Sequence, residues 1–238
     1  MNDYRLGQQA PTYDRHSAPL PAVLDRLGPD VCVVHWMDSR SLDPSDEELL
    51  STQEKERLSR IQDVGARAAR VAAAALLRRV VGEATGRDPR EVLVERTCPR
   101  CGGPHGRPTL PGLDHHASAT HSGHLVGVAL CSAGPVGLDV ERWVRFTSDH
   151  HPRFLGTDEH AGTPQDRCRY WTRKEAAVKA TGDGIGVDLR SVLVSRPQKP
   201  AELIAYPRRP GLRLSMADLP VPAPHLATVA VVTDGKVF

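Results

Sequence analysis

The sequence has few aromatic residues and almost no net charge. Phe, Trp and Tyr make up 4% of its 238 residues, and 31 basic side chains nearly balance 29 acidic ones, which leaves a formal charge of +2. Proteins that bind nucleic acids need a basic surface, and those that bind single strands also use aromatic platforms for stacking. The composition therefore predicts no nucleic-acid partner.

Long apolar runs and a disulfide pattern are also missing. No stretch reaches the roughly eighteen apolar residues that a membrane helix requires, and residues 1–21 lack the apolar core of a signal peptide. The five cysteines are odd in number and, apart from Cys98 and Cys101, scattered along the chain. These absences predict a reduced, cytoplasmic protein that does not enter a membrane.

The sequence does contain an acidic strand pattern at Pro135–Trp143, read PVGLDVERW. Side chains alternate along a strand, so three apolar residues share a buried face: Val136, Leu138 and Val140. Gly137, Asp139 and Glu141 share the other face and form an open acidic platform. Hard divalent cations such as Mg²⁺ prefer such carboxylate oxygens. The alternative is an edge strand with solvated acids.

A second stretch, Trp171–Lys179 (WTRKEAAVK), predicts a helix that ends near Gly182. Lys179 lies one helical turn after Glu175, as in an ordinary Glu–Lys helix pair. The functional interpretation makes Glu175 a third carboxylate for the same metal and Lys179 a phosphate ligand. The spacing alone leaves both interpretations open.

Residue patterning also predicts the elements around these motifs. A β-branched apolar run predicts a strand at Val31–Met37, and an alanine- and leucine-rich run predicts a long helix at Val64–Gly82. The further expectations are a helix at Ser45–Ile61 with a capping box of Ser51 and Glu54, strands at Glu91–Arg96 and Val187–Val194, and an antiparallel hairpin that joins Leu125–Cys131 to the acidic strand. The pattern is one of short strands and helices in two comparable halves.

Together, the acidic strand and the Trp171 helix resemble the signature of the 4'-phosphopantetheinyl transferase superfamily. That signature reads G-[IL]-D-[IV]-E, then W-x-x-K-E-A/S-x-x-K and a glycine-rich loop, and here it stands as GLDVE (Gly137–Glu141) and WTRKEAAVKATGDG (Trp171–Gly184). The chain length is similar to the surfactin-synthetase-activating (Sfp-like) branch. The resemblance implies a pseudo-twofold pair of similar α+β subdomains with the active site in the cleft between them.

On that plan the chain divides into three parts. Residues 1–20 form a poorly ordered tail. Residues 21–133 form an N-terminal subdomain that contributes to nucleotide binding, and 134–238 form a C-terminal subdomain with the metal-binding and catalytic motifs. The resemblance also implies a monomer.

The implied reaction transfers 4'-phosphopantetheine from coenzyme A to a serine of an apo acyl or peptidyl carrier protein and releases 3',5'-ADP. Asp139, Glu141 and Glu175 would be the ligands of Mg²⁺ or Mn²⁺. Glu175 is also the candidate base for the serine, and Lys179 is the second catalytic residue. Carrier proteins of polyketide or nonribosomal peptide synthesis are the expected partners, with a contact around Arg153–Leu155.

The resemblance assigns five further residues of the N-terminal half to coenzyme A: Lys55, Arg70, Arg107, His121 and Ser122. Lys55 belongs to a basic segment, and Arg70 lies in the long helix next to the nucleotide pocket. Arg107 stands in a His-Gly-Arg-Pro turn, where a guanidinium can bond phosphate bidentately. His121 and Ser122 match a Ser-His-Ser/Thr motif, with threonine in place of the first serine, and would contact the 3'-phosphate.

Cys98, Cys101 and His105 have the spacing of a zinc knuckle but supply only three ligands. A closed structural site would need His115, His116 or another cysteine. This stretch supports one rival interpretation, a zinc-knuckle binding module. The other rival is a different metal-dependent phosphate-transfer enzyme that uses the same three carboxylates.

Overall fold

The computed structural model describes residues 32–147 and 153–233. Two predictions, the tail at 1–20 and a solvated surface at His150–His151, lie outside these residues. The described chain combines helices with small antiparallel sheets, which confirms the predicted α+β class. None of its helices has both the length and the hydrophobicity that crossing a bilayer demands.

The N-terminal half is an antiparallel three-stranded sheet covered by one long helix. In chain order its elements are β1 (Cys32–Asp38), α1 (Pro44–Glu48), α2 (Thr52–Ser59), α3 (Val64–Thr85), β2 (His116–Ser122) and β3 (Leu125–Cys131). The strand order in the sheet is β1-β3-β2. The last strand of the three in the chain is therefore the central one.

The C-terminal half repeats this plan with a small addition. Its elements are β4 (Val136–Arg142), α4 (Pro164–Thr181), β5 (Leu193–Val194), β6 (Leu203–Ala205), β7 (Leu214–Leu219) and β8 (His225–Val232). The antiparallel sheet has the order β4-β8-β7, and β5 pairs with β6 in a separate two-stranded sheet. In both halves the chain thus forms an edge strand, a helix, the other edge strand and finally the central strand, as the pseudo-twofold expectation requires.

The two sheets face each other across a shared core, with the long helices on the outer sides. Val34 and Ala129 of the first sheet belong to the same apolar cluster as Leu138 and Val229 of the second. The outer face of the first sheet packs on α3, and that of the second packs on α4. The result is a helix–sheet–sheet–helix arrangement, since each sheet buries both of its faces.

Both long helices have clear start and stop signals. Asp63 caps α3 by accepting a 2.6 Å hydrogen bond from the Ala66 amide, and Gly86 ends it at φ +70°. Thr163 begins α4 with a capping box and Gly182 ends it at φ +74°. The predicted end of α4 is confirmed, although the helix starts seven residues before Trp171.

Two predictions in the N-terminal half are wrong because local caps interrupt the predicted elements. The predicted capping box of Ser51 and Glu54 is confirmed, but it starts a new helix, so 45–61 contains two helices where one was predicted. Pro89–Glu91 is a 3-10 turn, and only the Glu95–Thr109 bridge remains of the strand predicted at 91–96.

Two further predictions fail in the C-terminal half. The β4 strand does not form a hairpin with β3: it pairs with β8, because its apolar face packs on the first sheet and the chain changes sheets at residues 132–135. Asp188 caps a 3-10 turn at Leu189–Ser191, so the strand predicted at 187–194 shrinks to β5.

Candidate active site

The polar face of β4 lies against α4. A Cβ atom on Gly137 would lie 2.0 Å from the Ala176 carbonyl oxygen and 2.4 Å from the Ala180 nitrogen, so only glycine allows the helix to approach so closely. Asp139, the next residue on that face, is consequently 5% exposed. The predicted division of faces is correct, but the open platform is wrong for Asp139 because α4 covers it.

The Asp139 carboxylate meets the Lys179 ammonium directly. Lys179 Nζ donates to Asp139 Oδ1 at 2.6 Å and to the Leu138 carbonyl at 3.1 Å. It also lies 3.3 Å from the Thr120 hydroxyl, which itself lies 3.4 Å from Asp139 Oδ1. The other oxygen, Asp139 Oδ2, is buried without a hydrogen-bond partner within the described part of the chain. One carboxylate oxygen therefore remains available for a ligand.

The three predicted carboxylates influence one another electrostatically. Burial raises the pKa of Asp139 to about 7, against the opposing effect of Lys179, and the charges of Glu175 and Glu141 add to the rise. Burial also raises the pKa of Glu175, Lys179 lowers it, and Glu141 raises it again. This repulsion, together with the unpartnered Asp139 Oδ2, fits a site for a hard divalent cation.

The three carboxylates are neighbours but do not converge on one point. Within 32–147 and 153–233, the group of three potential ligands whose atoms all lie within 4.8 Å is found elsewhere. The Glu141 carboxylate instead accepts a 2.8 Å hydrogen bond from the Ser122 hydroxyl and pairs with Arg145 at 3.2 Å. Cation binding by all three would therefore require side chains to rearrange.

His121 lies on β2 and is partly exposed. Burial lowers its pKa, the positive charges of Arg70 and Lys179 lower it further, and Glu141 raises it. His121, from β2, thus lies within electrostatic reach of Arg70 of α3 and of Glu141 and Lys179 of the C-terminal half. The structure therefore brings these four predicted residues, from both halves, around one imidazole.

The edge of β4 that does not pair with β8 receives hydroxyl groups from β2. Each of three alternate β2 residues accepts a hydrogen bond from a β4 backbone amide. The pairs are Ser118 with Leu138 at 3.0 Å, Thr120 with Val140 at 3.3 Å and Ser122 with Arg142 at 3.2 Å. The pattern Ser-x-Thr-x-Ser on a predicted strand is the sequence signal that could have identified this contact.

The remaining coenzyme A candidates differ in their position. Arg107 donates a 3.0 Å hydrogen bond to the Ala180 carbonyl at the end of α4, and burial lowers its pKa. Its turn therefore reaches across to the C-terminal half. Lys55 is exposed on α2, and no hydrogen bond or ion pair within the described residues joins it to the carboxylates.

Two cations of the WTRKEAAVK motif have buried roles that the sequence did not reveal. The fully buried Lys174 forms an ion pair with Glu159 and donates to the carbonyls of Phe154 and Leu189 at 2.8 and 3.0 Å. Arg173, also fully buried, pairs with Asp218 at 2.6 Å. Lys174 thereby fixes the 154–159 segment against α4.

An aromatic group lies beside this segment. The ring of Phe154 is 6.1 Å from that of Phe146 and 5.2 Å from that of Trp171, both edge to face. The three rings are partly exposed, and Arg153 next to them is exposed. The predicted carrier-protein contact at Arg153–Leu155 stays a prediction.

The Cys98, Cys101 and His105 group is assembled as its spacing suggested. Its three ligand atoms all lie within 4.8 Å of one another, and neither His115 nor His116 joins it. A cavity of about 290 Å³, lined by residues of α2 and of 94–104, adjoins it, and none of the three carboxylates lines this cavity.

Comparison with protein families gives one match. Residues 135–229 match the family model of the 4'-phosphopantetheinyl transferase superfamily. The match begins just before β4, ends within β8 and contains the carboxylates and Lys179, but none of the five candidates of the N-terminal half. Comparison with curated proteins gives no match.

Proposed function

We propose that this protein transfers 4'-phosphopantetheine from coenzyme A to a serine of an acyl or peptidyl carrier protein. The family match covers the segment that carries Asp139, Glu141, Glu175 and Lys179. The observation on which the proposal depends most is the buried Asp139 carboxylate, which has one oxygen on Lys179 and the other without a partner. A buried, half-satisfied carboxylate is costly unless a ligand completes it.

The donor set supports a role for Mg²⁺ or Mn²⁺ in this reaction. Asp139, Glu141 and Glu175 would hold the ion, which would offset charge on the pyrophosphate oxygens of coenzyme A. Lys179 pairs with Asp139 at 2.6 Å and supplies a second positive charge at the same place. We assign Lys179 to the phosphoryl group that moves, because a fixed cation stabilises charge that develops there.

The transfer forms one bond and breaks one bond. The oxygen of the carrier serine bonds to the phosphorus that bears pantetheine, the bond from that phosphorus to the bridging pyrophosphate oxygen breaks, and 3',5'-ADP leaves. The serine proton passes to a carboxylate, for which Glu175 is the candidate. Its partly exposed position and raised pKa suit a base. The proton passes to Glu175 either directly or through a water molecule.

Residues of the N-terminal half are proposed to hold the nucleotide. His121 lies within electrostatic reach of Arg70 and of Glu141, and Arg107 lies at the end of α4, so all three basic residues can face one coenzyme A molecule in the cleft. The Ser122 hydroxyl already donates to Glu141, so its contact with the 3'-phosphate would require it to rotate. Lys55 has the weakest support of the five.

The finer identity of the protein follows from the sequence resemblance. We propose a monomeric enzyme of the Sfp-like type, which acts in the cytoplasm on carrier domains of polyketide or nonribosomal peptide synthesis. The cysteines, all of them free thiols, suit a reducing compartment.

The direct test is the intact mass of a purified apo carrier protein after incubation with this protein, coenzyme A and Mg²⁺. We expect the carrier to gain one phosphopantetheine and a chelator to block the gain. Candidate carriers of the polyketide, nonribosomal-peptide and fatty-acid types should be compared. Absence of a gain with all of them, combined with no binding of coenzyme A, would refute the proposal. A metal-dependent reaction on another phosphate donor would instead support the second rival.

A further inference from the structure

Two thiols and one imidazole converge in the segment 97–107, away from the proposed transfer site. Cys101 Sγ lies 3.0 Å from His105 Nε2, and Cys98 completes a group whose ligand atoms all lie within 4.8 Å. Within the two described ranges, 32–147 and 153–233, it is the single group of three or more potential metal ligands at that spacing. Thiolate and imidazole are the donors that zinc prefers in proteins.

The backbone of residues 98–103 forms a hydrogen-bonded turn next to the Cys98 thiol. The Gly102 amide donates to the Cys98 carbonyl and the Cys98 amide donates to the Gly103 carbonyl, both at 2.8 Å. The amides of Arg100 and Cys101 donate to the Cys98 sulfur. The turn therefore presents the sulfur in a fixed position with its hydrogen bonds already formed, as the surroundings of a metal ligand require.

The glycines of this segment are needed to bring the ligands together. Gly102 has φ +70°, which favours glycine, and a Cβ on Gly103 would lie 3.1 Å from the His105 ring and 3.4 Å from Cys101 Sγ. A Cβ on Gly106 would lie 2.4 Å from the Thr97 carbonyl oxygen. Larger residues would push the imidazole away from the thiols.

The segment also contacts both halves of the molecule. The Arg57 guanidinium of α2 donates to the Pro104 carbonyl, and Arg107 donates to the Ala180 carbonyl at the end of α4. Arg107 stands two residues after His105 in the chain. Any ion that fixes His105 therefore also limits the positions that Arg107 can reach.

We propose that Cys98, Cys101 and His105 bind one Zn²⁺ ion, which holds the 97–107 segment and positions Arg107. The described residues offer no fourth histidine, cysteine or carboxylate at the spacing of these three. A zinc ion with three protein ligands keeps a coordination position for water or an exchangeable ligand. The site differs from the proposed Mg²⁺ site in its position and in the softness of its ligands.

The first experiment measures the metal content of the full-length protein. The chain is reduced, loaded with Zn²⁺, freed of excess metal and analysed by mass spectrometry for elements. We expect one zinc per chain in the wild type and in His160→Ala, a control that changes an exposed histidine elsewhere. The double variant C98S/C101S should lose the ion. Co²⁺ in place of zinc should show sulfur-to-metal charge-transfer absorption in the wild type and not in the double variant.

A second experiment tests the positioning of the segment by limited proteolysis of the wild type and the double variant. Zinc removed from the wild type by a chelator should speed tryptic cleavage after the exposed Arg100 by about tenfold, and added zinc should reverse the effect. The double variant should be cleaved quickly whether or not zinc is present.

Either of two results would overturn the proposal. One is a fully reduced wild type that binds no zinc, and the other is a double variant that retains the same amount as the wild type. Because neither experiment uses coenzyme A or a carrier protein, failure here leaves the proposed transferase activity unaffected, and the reverse also holds.

Discussion

The two halves of the molecule follow the same path but use the contact between helix and sheet differently. In the first half, α3 meets its sheet through apolar side chains such as Ala72 and Leu76. In the second half, α4 meets its sheet through alanines and through Lys179, which pairs with Asp139 of β4. The comparison teaches that one frame can pack mainly through apolar side chains or enclose a polar site.

The first strands of the two halves show where the difference arises. Both have seven residues, and their inter-sheet faces align Val34 of β1 with Leu138 of β4. His35 then corresponds to Asp139, and Met37 corresponds to Glu141. On the face that meets the helix, the carboxylates of β4 thus have no acidic counterpart in β1.

The largest expected effect comes from removing the Asp139 side chain of β4, in comparison with a change at the corresponding position of β1. Asp139→Ala should lower the single-turnover rate of phosphopantetheine transfer by about 10³-fold, because Lys179 loses its partner and the site loses a carboxylate. The matched variant His35→Gln should lower it by less than about threefold. The mass of a carrier protein followed over time gives both rates, and circular dichroism checks the folds. Equal losses of transfer rate in the two variants would mean that the two strands do not differ in their contribution to the reaction.

The second prediction concerns one buried ion pair in each half, Arg78–Glu54 and Lys174–Glu159. Arg78→Met and Lys174→Met should each lower the free energy of unfolding by about 3 kcal/mol, because each leaves a buried carboxylate unpaired. Urea denaturation measures this loss. Only the Lys174 variant should also raise the KM for the carrier protein, because Lys174 fixes the 154–159 segment. An unchanged KM in the Lys174 variant would show that the 154–159 segment does not take part in binding the carrier protein.

The third prediction concerns the closest contact between strand and helix. Gly137→Ala should cost about 3 kcal/mol of unfolding free energy, since its Cβ would overlap the α4 backbone. The matched variant Val33→Ala, on the partly buried face of β1, should cost about 1 kcal/mol. Thermal or urea unfolding compares the two. If Gly137→Ala proved as stable as the wild type, α4 would not be held at the distance that buries Asp139.

The smallest effect is a dependence of stability on pH. Folding raises the pKa of Asp139 from its ordinary 3.8 to about 7, so this residue favours the folded state at low pH and progressively loses that contribution between about pH 4 and pH 7. Asp139→Asn, without bound metal, should therefore gain about 2–3 kcal/mol relative to the wild type between pH 5 and pH 8. Unfolding in the presence of a chelator measures it. If the unfolding free energies of the wild type and of Asp139→Asn changed with pH in parallel, the pKa of Asp139 would be the same in the folded and unfolded states.

Much of the site could be predicted because its signals are local. The alternation of β4 fixed which side chains share a face, and Gly182 marked the end of α4. The burial of Asp139 could not be predicted in the same way, since it depends on how closely α4 approaches Gly137. Such an approach is a property of the packed protein and not of either segment.

Strand and ion-pair partners that lie far apart in the sequence could not be predicted either. Strand β4 pairs with β8, whose first residue, His225, lies more than eighty residues further along the chain, and the local turn signal favoured the wrong neighbour, β3. The motif shows Lys174 as one of several cations, but its partner Glu159 lies in a stretch without periodicity. The three proposed zinc ligands are an exception, because spacings of three and four residues and tight glycine turns bring them together locally.

The hydroxyl groups of β2 have a further consequence for the behaviour of the protein in solution. An edge strand with free amides is a template for other chains, and β4 would be such an edge. Ser118, Thr120 and Ser122 occupy three of its amides without adding a strand that could itself recruit another. The first sheet thus protects the second from edge-to-edge aggregation.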